Sequence, residues 1–192
     1  LFTVKIQNAN AAFSTVDCTN GAHRTTLGGI SQAECQALED LYTDTAGASW
    51  TNHTAWDTVS DINTWHGITR SGTHVDAISL ANNNLVGTIP SSISNLTSLT
   101  QFHAYSNSLS GSIPSLASNT ALQLLDLHNN QLTGSIPSLT TNTNLSQFFV
   151  GTNQLTGSIP ALTTNTSLSL FDVRDNQLTG SIPSLSTNTS LE

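Results

Sequence analysis

The chain has 192 residues and a formal net charge of −8, with only 4 Lys+Arg against 12 Asp+Glu. Charged residues make up 8% of it, against roughly 25% in an average soluble protein, and so few cations exclude nucleic acid or an anionic membrane surface as the main partner. Ser, Thr and Asn contribute 26, 29 and 19 residues, a polarity that would suggest disorder if the 36% hydrophobic fraction were not so regularly spaced. No apolar run approaches the ~18 residues of a membrane span, and no secretory leader pattern is seen, so this segment is expected not to insert into a membrane.

In chain order, Phe2-Thr3-Val4-Lys5-Ile6-Gln7 alternates apolar and polar residues, which predicts a short strand. Ser31-Gln32-Ala33-Glu34 has the form of a capping box and predicts a helix through about Tyr42, with Cys35, Leu38 and Tyr42 on one face. Cys18 and Cys35 are the two cysteines, so only one pairing is possible. A bridge would close a loop of 17 residues, contribute about 3 kcal/mol and imply an oxidising compartment. Free buried thiols are the alternative; C-x-x-C and zinc spacings are absent. Ala46-Gly47-Ala48-Ser49-Trp50 and Trp65-His66-Gly67-Ile68 then lead into a periodic segment.

All five prolines, Pro90, Pro114, Pro137, Pro160 and Pro183, end a Gly-Thr/Ser-Ile-Pro tetrapeptide, at spacings of 24, 23, 23 and 23 residues. Upstream of each runs an apolar frame, L-x-x-L-x-L-x-x-N-x-L-x-G-x-I-P, carried in one copy by Leu122, Leu125, Leu127, Asn130, Leu132, Gly134, Ile136 and Pro137. The L-x-L stretch has the period of a strand with one buried face. Stacked copies predict interior columns: Ile78, Phe102, Leu125, Phe148 and Phe171, then Leu80, Ala104, Leu127, Val150 and Val173. Asn83, Asn107, Asn130, Asn153 and Asn176 form a further column, expected to satisfy turn backbone. A second inward Asn column is expected at Asn119, Asn142, Asn165 and Asn188, replacing the apolar Leu96 of the first copy.

This repeat resembles the plant-type class of leucine-rich repeats. The resemblance implies an α/β solenoid: a right-handed, curved leucine-rich-repeat coil with a parallel sheet of short strands on its concave face and an N-terminal cap with one helix. Residues 1–74 are then the cap, and 75–192 hold five repeats plus the start of a truncated sixth. The cap pattern E-x-x-A-L-x-x-L-Y, ending in G-x-x-W-x-x-x-x-x-W, resembles the caps of bacterial surface proteins with plant-type repeats. Such caps often carry C-x-W-x-G-V-x-C, whose two Cys positions are here Asn63 and Arg70.

Between 77 and 191 the only charged residues are Asp126, Asp172, Arg174 and Asp175, and all fall on outward strand positions, with His103 and His128. Leucine-rich repeats usually bind partners on the concave sheet, so a binding surface is expected there for a protein, peptide or glycan, built from His103, Tyr105, Asp126, His128, Phe149, Asp172 and Arg174. Simple tolerance of variation on this face is the alternative. Strand spacing would let His103, Asp126 and His128 converge as two imidazoles and a carboxylate do around a metal, but solvated side chains are the simpler expectation, so no metal or cofactor is assigned. No nucleophile accompanies a His–Asp pair and no paired-carboxylate or G-x-S-x-G motif occurs, so the chain is expected not to be an enzyme. His23, His53, His66 and His74 are scattered through the cap.

A competing surface lies on the convex turns, where Thr120, Thr141, Thr143, Thr164, Thr166, Thr187 and Thr189 stack into hydroxyl ranks. Such ranks resemble ice-binding surfaces, which makes ice the alternative partner. Five N-x-S/T sequons, at Asn52, Asn95, Asn144, Asn165 and Asn188, are no more than chance supplies. The bridge and the repeat class together imply a secreted or cell-surface protein.

Overall fold

The computed structural model describes residues 16–192; the strand expected over 2–7 lies outside the described residues. Asn20 starts a short helix α1 (Gly21–Thr26), its side chain accepting the Ala22 and His23 amides, which adds to the one helix expected. The main cap helix, α2 (Gln32–Asp44), starts as its capping box predicts: Ser31 Oγ accepts the Glu34 amide and Glu34 accepts the Ser31 amide. It runs two residues past Tyr42 and is closed by Thr45, whose hydroxyl donates to the Leu41 carbonyl at 2.6 Å. Cys35, Ala37, Leu38, Leu41 and Tyr42 form its buried face, and Cys35 is bridged to Cys18.

Buried Glu34 does more than cap its helix. Its Oε1 accepts the Val75 amide at 3.1 Å, tying α2 to the first repeat strand. Trp50, Trp56 and Trp65 fill the space between helix and sheet: Trp56 stacks on Tyr42 and meets Trp50 edge-on. Gly47 is required there, because a Cβ would lie 2.2 Å from the Tyr42 ring. Asn63 and Arg70, which stand where the cap resemblance would put a Cys pair, are joined by hydrogen bonds. Asn63 Oδ1 accepts the Arg70 amide at 2.8 Å, and the Arg70 guanidinium grips both carboxylate oxygens of Asp61 at 2.9 and 2.6 Å. The guanidinium bonds, with the Asn63 amide donated to Asp61 Oδ1 at 3.0 Å, lower the Asp61 carboxyl to about 2 from an ordinary 3.8.

The strands are β1 (Ile68–Ser71), β2 (His74–Ser79), β3 (Val86–Thr88), β4 (Gln101–His103), β5 (Ser108–Ser110), β6 (Leu124–Asp126), β7 (Gln147–Phe149) and β8 (Leu170–Asp172). One sheet has the order β1-β2-β4-β6-β7-β8. Its first pair is an antiparallel hairpin turning at Gly72 (φ 60°), and the remainder is parallel. The hairpin, which the sequence did not announce, covers the free side of the first repeat strand and makes β1 the edge strand, where the Arg70 amide is taken up by Asn63 Oδ1. Register pairs Ile78 with Phe102, then Leu125, Phe148 and Phe171, the predicted column. Leu80, Ala104, Leu127 and Val150 are fully buried beside it. Each Leu or Val among them stabilises the fold by about 1.5–3 kcal/mol through burial. β3 and β5 start a second parallel ladder along the L-x-G segment, continued by bridges from Ser112 to Thr133 and Ser135 to Thr156.

Both Asn columns point inward. In the first, Asn153 Oδ1 accepts the Leu132 amide at 2.9 Å, while Nδ2 donates to the Leu127 and Val150 carbonyls, each at 3.0 Å. The same set recurs at Asn130 and Asn176. Asn83 makes it with the cap, accepting the Asn52 amide and donating to the Asn52 carbonyl. In the second column each Nδ2 donates to two carbonyls of the preceding coil, as from Asn142 to Leu116 and Asn119. The four Oδ1 atoms of that column are buried without a hydrogen-bond partner.

Candidate binding face on the sheet

After β2, each strand of the repeat sheet is only three residues long, because the chain soon turns. Asn82, Ser106, Asn129, Thr152 and Asp175 all adopt left-handed φ values of 51–55°. Asn and Asp tolerate that conformation; β-branched Thr152 is strained in it. Asp175 therefore occupies a turn position that suits it, and the face proper is built by the two positions before it. One rank, Ser79, His103, Asp126, Phe149 and Asp172, lies in strand register. The other, Tyr105, His128, Gly151 and Arg174, is aligned by amides donating coil to coil: Ser106 to the His128 carbonyl, Asn129 to Gly151 and Thr152 to Arg174.

Three of the predicted residues come together. The rings of Tyr105 and His128 stack, with centroids 4.7 Å apart and planes 10° from parallel. His128 Nδ1 is 2.6 Å from Asp126 Oδ1, which also accepts the His128 amide at 3.3 Å. The Asp126 side chain is 12% exposed and that of His128 37%, so the carboxylate fixes the imidazole from below while the outer ring surface meets solvent. An aromatic pair held this way presents a platform of two packed rings at little entropic cost, because its rotamers are already set.

A second pair stands two coils further on. Arg174 Nε is 3.3 Å from Asp172 Oδ2, and Asp172 Oδ1 accepts the Arg174 amide at 3.0 Å. The Arg174 side chain is 74% exposed, so this pair contributes little to stability and its guanidinium is open to a partner. Gly151, between His128 and Arg174, makes room for it. A Cβ there would lie 3.0 and 3.1 Å from the Asp172 oxygens and 3.2 Å from Arg174 Cγ. Sequence reasoning missed Gly151, although it is the one glycine in its rank. Phe149 is half-buried between Asp126 and Asp172. His103 is in register with Asp126 but does not join Asp126 and His128 as a ligand set; among the described residues no group of three His, Cys, Asp or Glu is placed to hold a metal.

On the turn side, Thr120, Thr141, Thr143, Thr164, Thr166, Thr187 and Thr189 are all exposed, above the buried Asn119, Asn142, Asn165 and Asn188. The ladder beneath holds successive coils, and so the hydroxyl ranks, in register.

Comparison with known proteins agrees with this architecture. The leucine-rich repeat family profile matches residues 74–96 and 121–142. The chain is 40% identical over 68 residues to the receptor-like kinase TMK4 of Arabidopsis thaliana, covering 35% of this chain and 7% of that protein's length. The BIR2 ectodomain of Arabidopsis thaliana superposes with a TM-score of 0.66 at 30% identity, over 77% of this chain and 82% of that one. The Arabidopsis HAESA ectodomain, solved in complex with an IDA peptide hormone ligand, superposes with a TM-score of 0.64 at 28% identity, over 83% of this chain and 28% of that one. The chain belongs to the leucine-rich repeat family, in its plant-type class. Both of these solved structures are ectodomains, and no helix among the described residues of this chain is long and apolar enough to cross a membrane.

Proposed function

We propose that this chain is an extracellular recognition module, secreted or held at a cell surface, that binds a protein or peptide across its strand face and performs no catalysis. The observation that carries it is the Tyr105–His128 platform braced by Asp126, with the open Arg174–Asp172 pair two coils away. Stacked rings offer apolar area, while Asp172 and Arg174 offer both signs of charge, and their separation along the sheet suits an extended segment more than a small molecule. The HAESA ectodomain, solved with a peptide hormone ligand, supports the same use of this scaffold. Selection of a phage-displayed random peptide library against the folded chain tests it. Enriched peptides should bind the parent and lose at least tenfold in affinity to a Tyr105→Ala, Asp126→Ala, His128→Ala variant that melts at the parental temperature. Failure to enrich any peptide, or equal binding to the variant, would contradict the proposal.

A second reading, ice binding by the threonine ranks, rests on the exposure of all seven over the buried Asn ladder. Ice-affinity partitioning decides it: the parent should enter ice and a Thr143→Tyr, Thr166→Tyr, Thr189→Tyr variant should not. Exclusion of the parent ends that reading.

A further inference from the structure

The five sequons are indistinguishable as sequence, yet the fold treats their amides in three different ways. Asn165 and Asn188 are buried rungs of the second ladder, with both hydrogens of each Nδ2 committed: Asn165 to the Leu139 and Asn142 carbonyls, Asn188 to those of Leu162 and Asn165. Asn144 is exposed, but its Nδ2 donates to the Thr120 carbonyl at 2.9 Å. Asn52 and Asn95 are exposed, and among the described residues neither Nδ2 donates a hydrogen bond. At Asn52 the carboxamide is also posed: Oδ1 accepts both the amide of Thr54, at 3.1 Å, and its hydroxyl, at 2.7 Å. The asparagine and the hydroxyl two residues on are thereby held together, with the nitrogen facing solvent. Asn95 ends the turn Ser91–Asn95 and is followed by exposed Thr97.

We propose that the folded chain carries N-linked glycans on Asn52 and Asn95, and none on Asn165 or Asn188. The donor is an oligosaccharide linked through diphosphate to a polyprenyl lipid. The amide nitrogen attacks the anomeric carbon, a C–N bond forms, the C–O bond to phosphate breaks, the lipid diphosphate leaves and the nitrogen's proton passes to a base on the transferase. A glycan on Asn165 or Asn188 would remove one of two donated bonds and force a sugar between coils, which a folded solenoid has no room for. Neither Asn52 nor Asn95 belongs to the strand face, so both glycans leave the platform uncovered. Asn95 stands at the head of the rank continued by Ser118, Thr141, Thr164 and Thr187, so its glycan would also roughen the surface that ice binding needs flat.

The whole chain, secreted from a eukaryotic cell, should be digested and mapped by mass spectrometry after enzymatic deglycosylation in heavy-oxygen water. Label is expected at Asn52 and Asn95 and absent at Asn165 and Asn188. Asn52→Gln and Asn95→Gln should each speed gel migration by one glycan and leave peptide binding unchanged. Should either variant fail to be secreted, Thr54→Ala and Thr97→Ala remove the same sequons while keeping the asparagines. Unlabelled Asn52 or Asn95 would overturn the assignment at that residue, and label at Asn165 or Asn188 in folded protein would overturn its structural basis.

Discussion

The cap and the repeats hold themselves together by opposite means. Eleven of the sixteen charged residues precede residue 77, and the cap uses them singly: Glu34 joins α2 to β2, and Asp61 clamps Arg70. The repeats use almost none. Their coils are joined by one amide arrangement copied from Asn83 through Asn176 and a second copied from Asn119 through Asn188. A neutral amide both donates and accepts, so it can be stacked every coil without accumulating like charge, whereas a buried carboxylate needs a particular partner each time. Periodic structure favours the amide; a unique boundary can use the charge. The same contrast explains why, between residues 77 and 191, charge reappears only on the outward sheet positions and their adjoining turn.

Substitutions within the two Asn ladders should separate them most strongly. Asn153→Ala removes the acceptor for the Leu132 amide and the donor to two carbonyls, leaving buried backbone unpaired, and is expected to cost about 3–5 kcal/mol in urea unfolding. Asn142→Leu restores the residue type of Leu96 and removes a partnerless buried oxygen, so its loss should stay under about 2 kcal/mol. Equal losses would erase the distinction between the ladders. In the cap, Cys18→Ser with Cys35→Ser opens a loop of 17 residues and should cost about 3 kcal/mol. An unchanged urea midpoint after reduction would remove the bridge from the account.

Smallest is the Asp61–Arg70 clamp. The Asp61 carboxyl is depressed to about 2 in the folded chain from an ordinary 3.8, so its contribution is complete above about pH 4 and is lost as pH falls toward 2. Asp61→Asn should flatten the fall in urea midpoint over that window and change little at neutral pH, since the pair is partly exposed. A parental slope in the variant would assign the acid sensitivity elsewhere.

The fold was legible wherever a feature repeats. Interior columns, both Asn ladders and the strand register follow from spacing, because each position was stated four or five times. The α2 start was legible from a local motif. What escaped was stated once and made across long separations: the Glu34 bond to Val75, the closing hairpin of β1 and β2, and the Asn63–Arg70–Asp61 substitute for a disulfide. Of the candidate face, the outward ranks were legible. The Tyr105–His128 stack was not, because it depends on rotamers, nor was the demotion of Asp175 to a turn, because alternation alone does not show where φ changes sign.

The central claim is that recognition occurs on the strand face and not on the turn side. It is tested most directly by measuring, for one peptide selected on the parent, the Kd of the Tyr105→Ala, Asp126→Ala, His128→Ala variant beside that of the Thr143→Tyr, Thr166→Tyr, Thr189→Tyr variant. A loss of tenfold or more in the first with parental affinity in the second is the predicted result. Parental affinity in the first, with loss in the second, would contradict it.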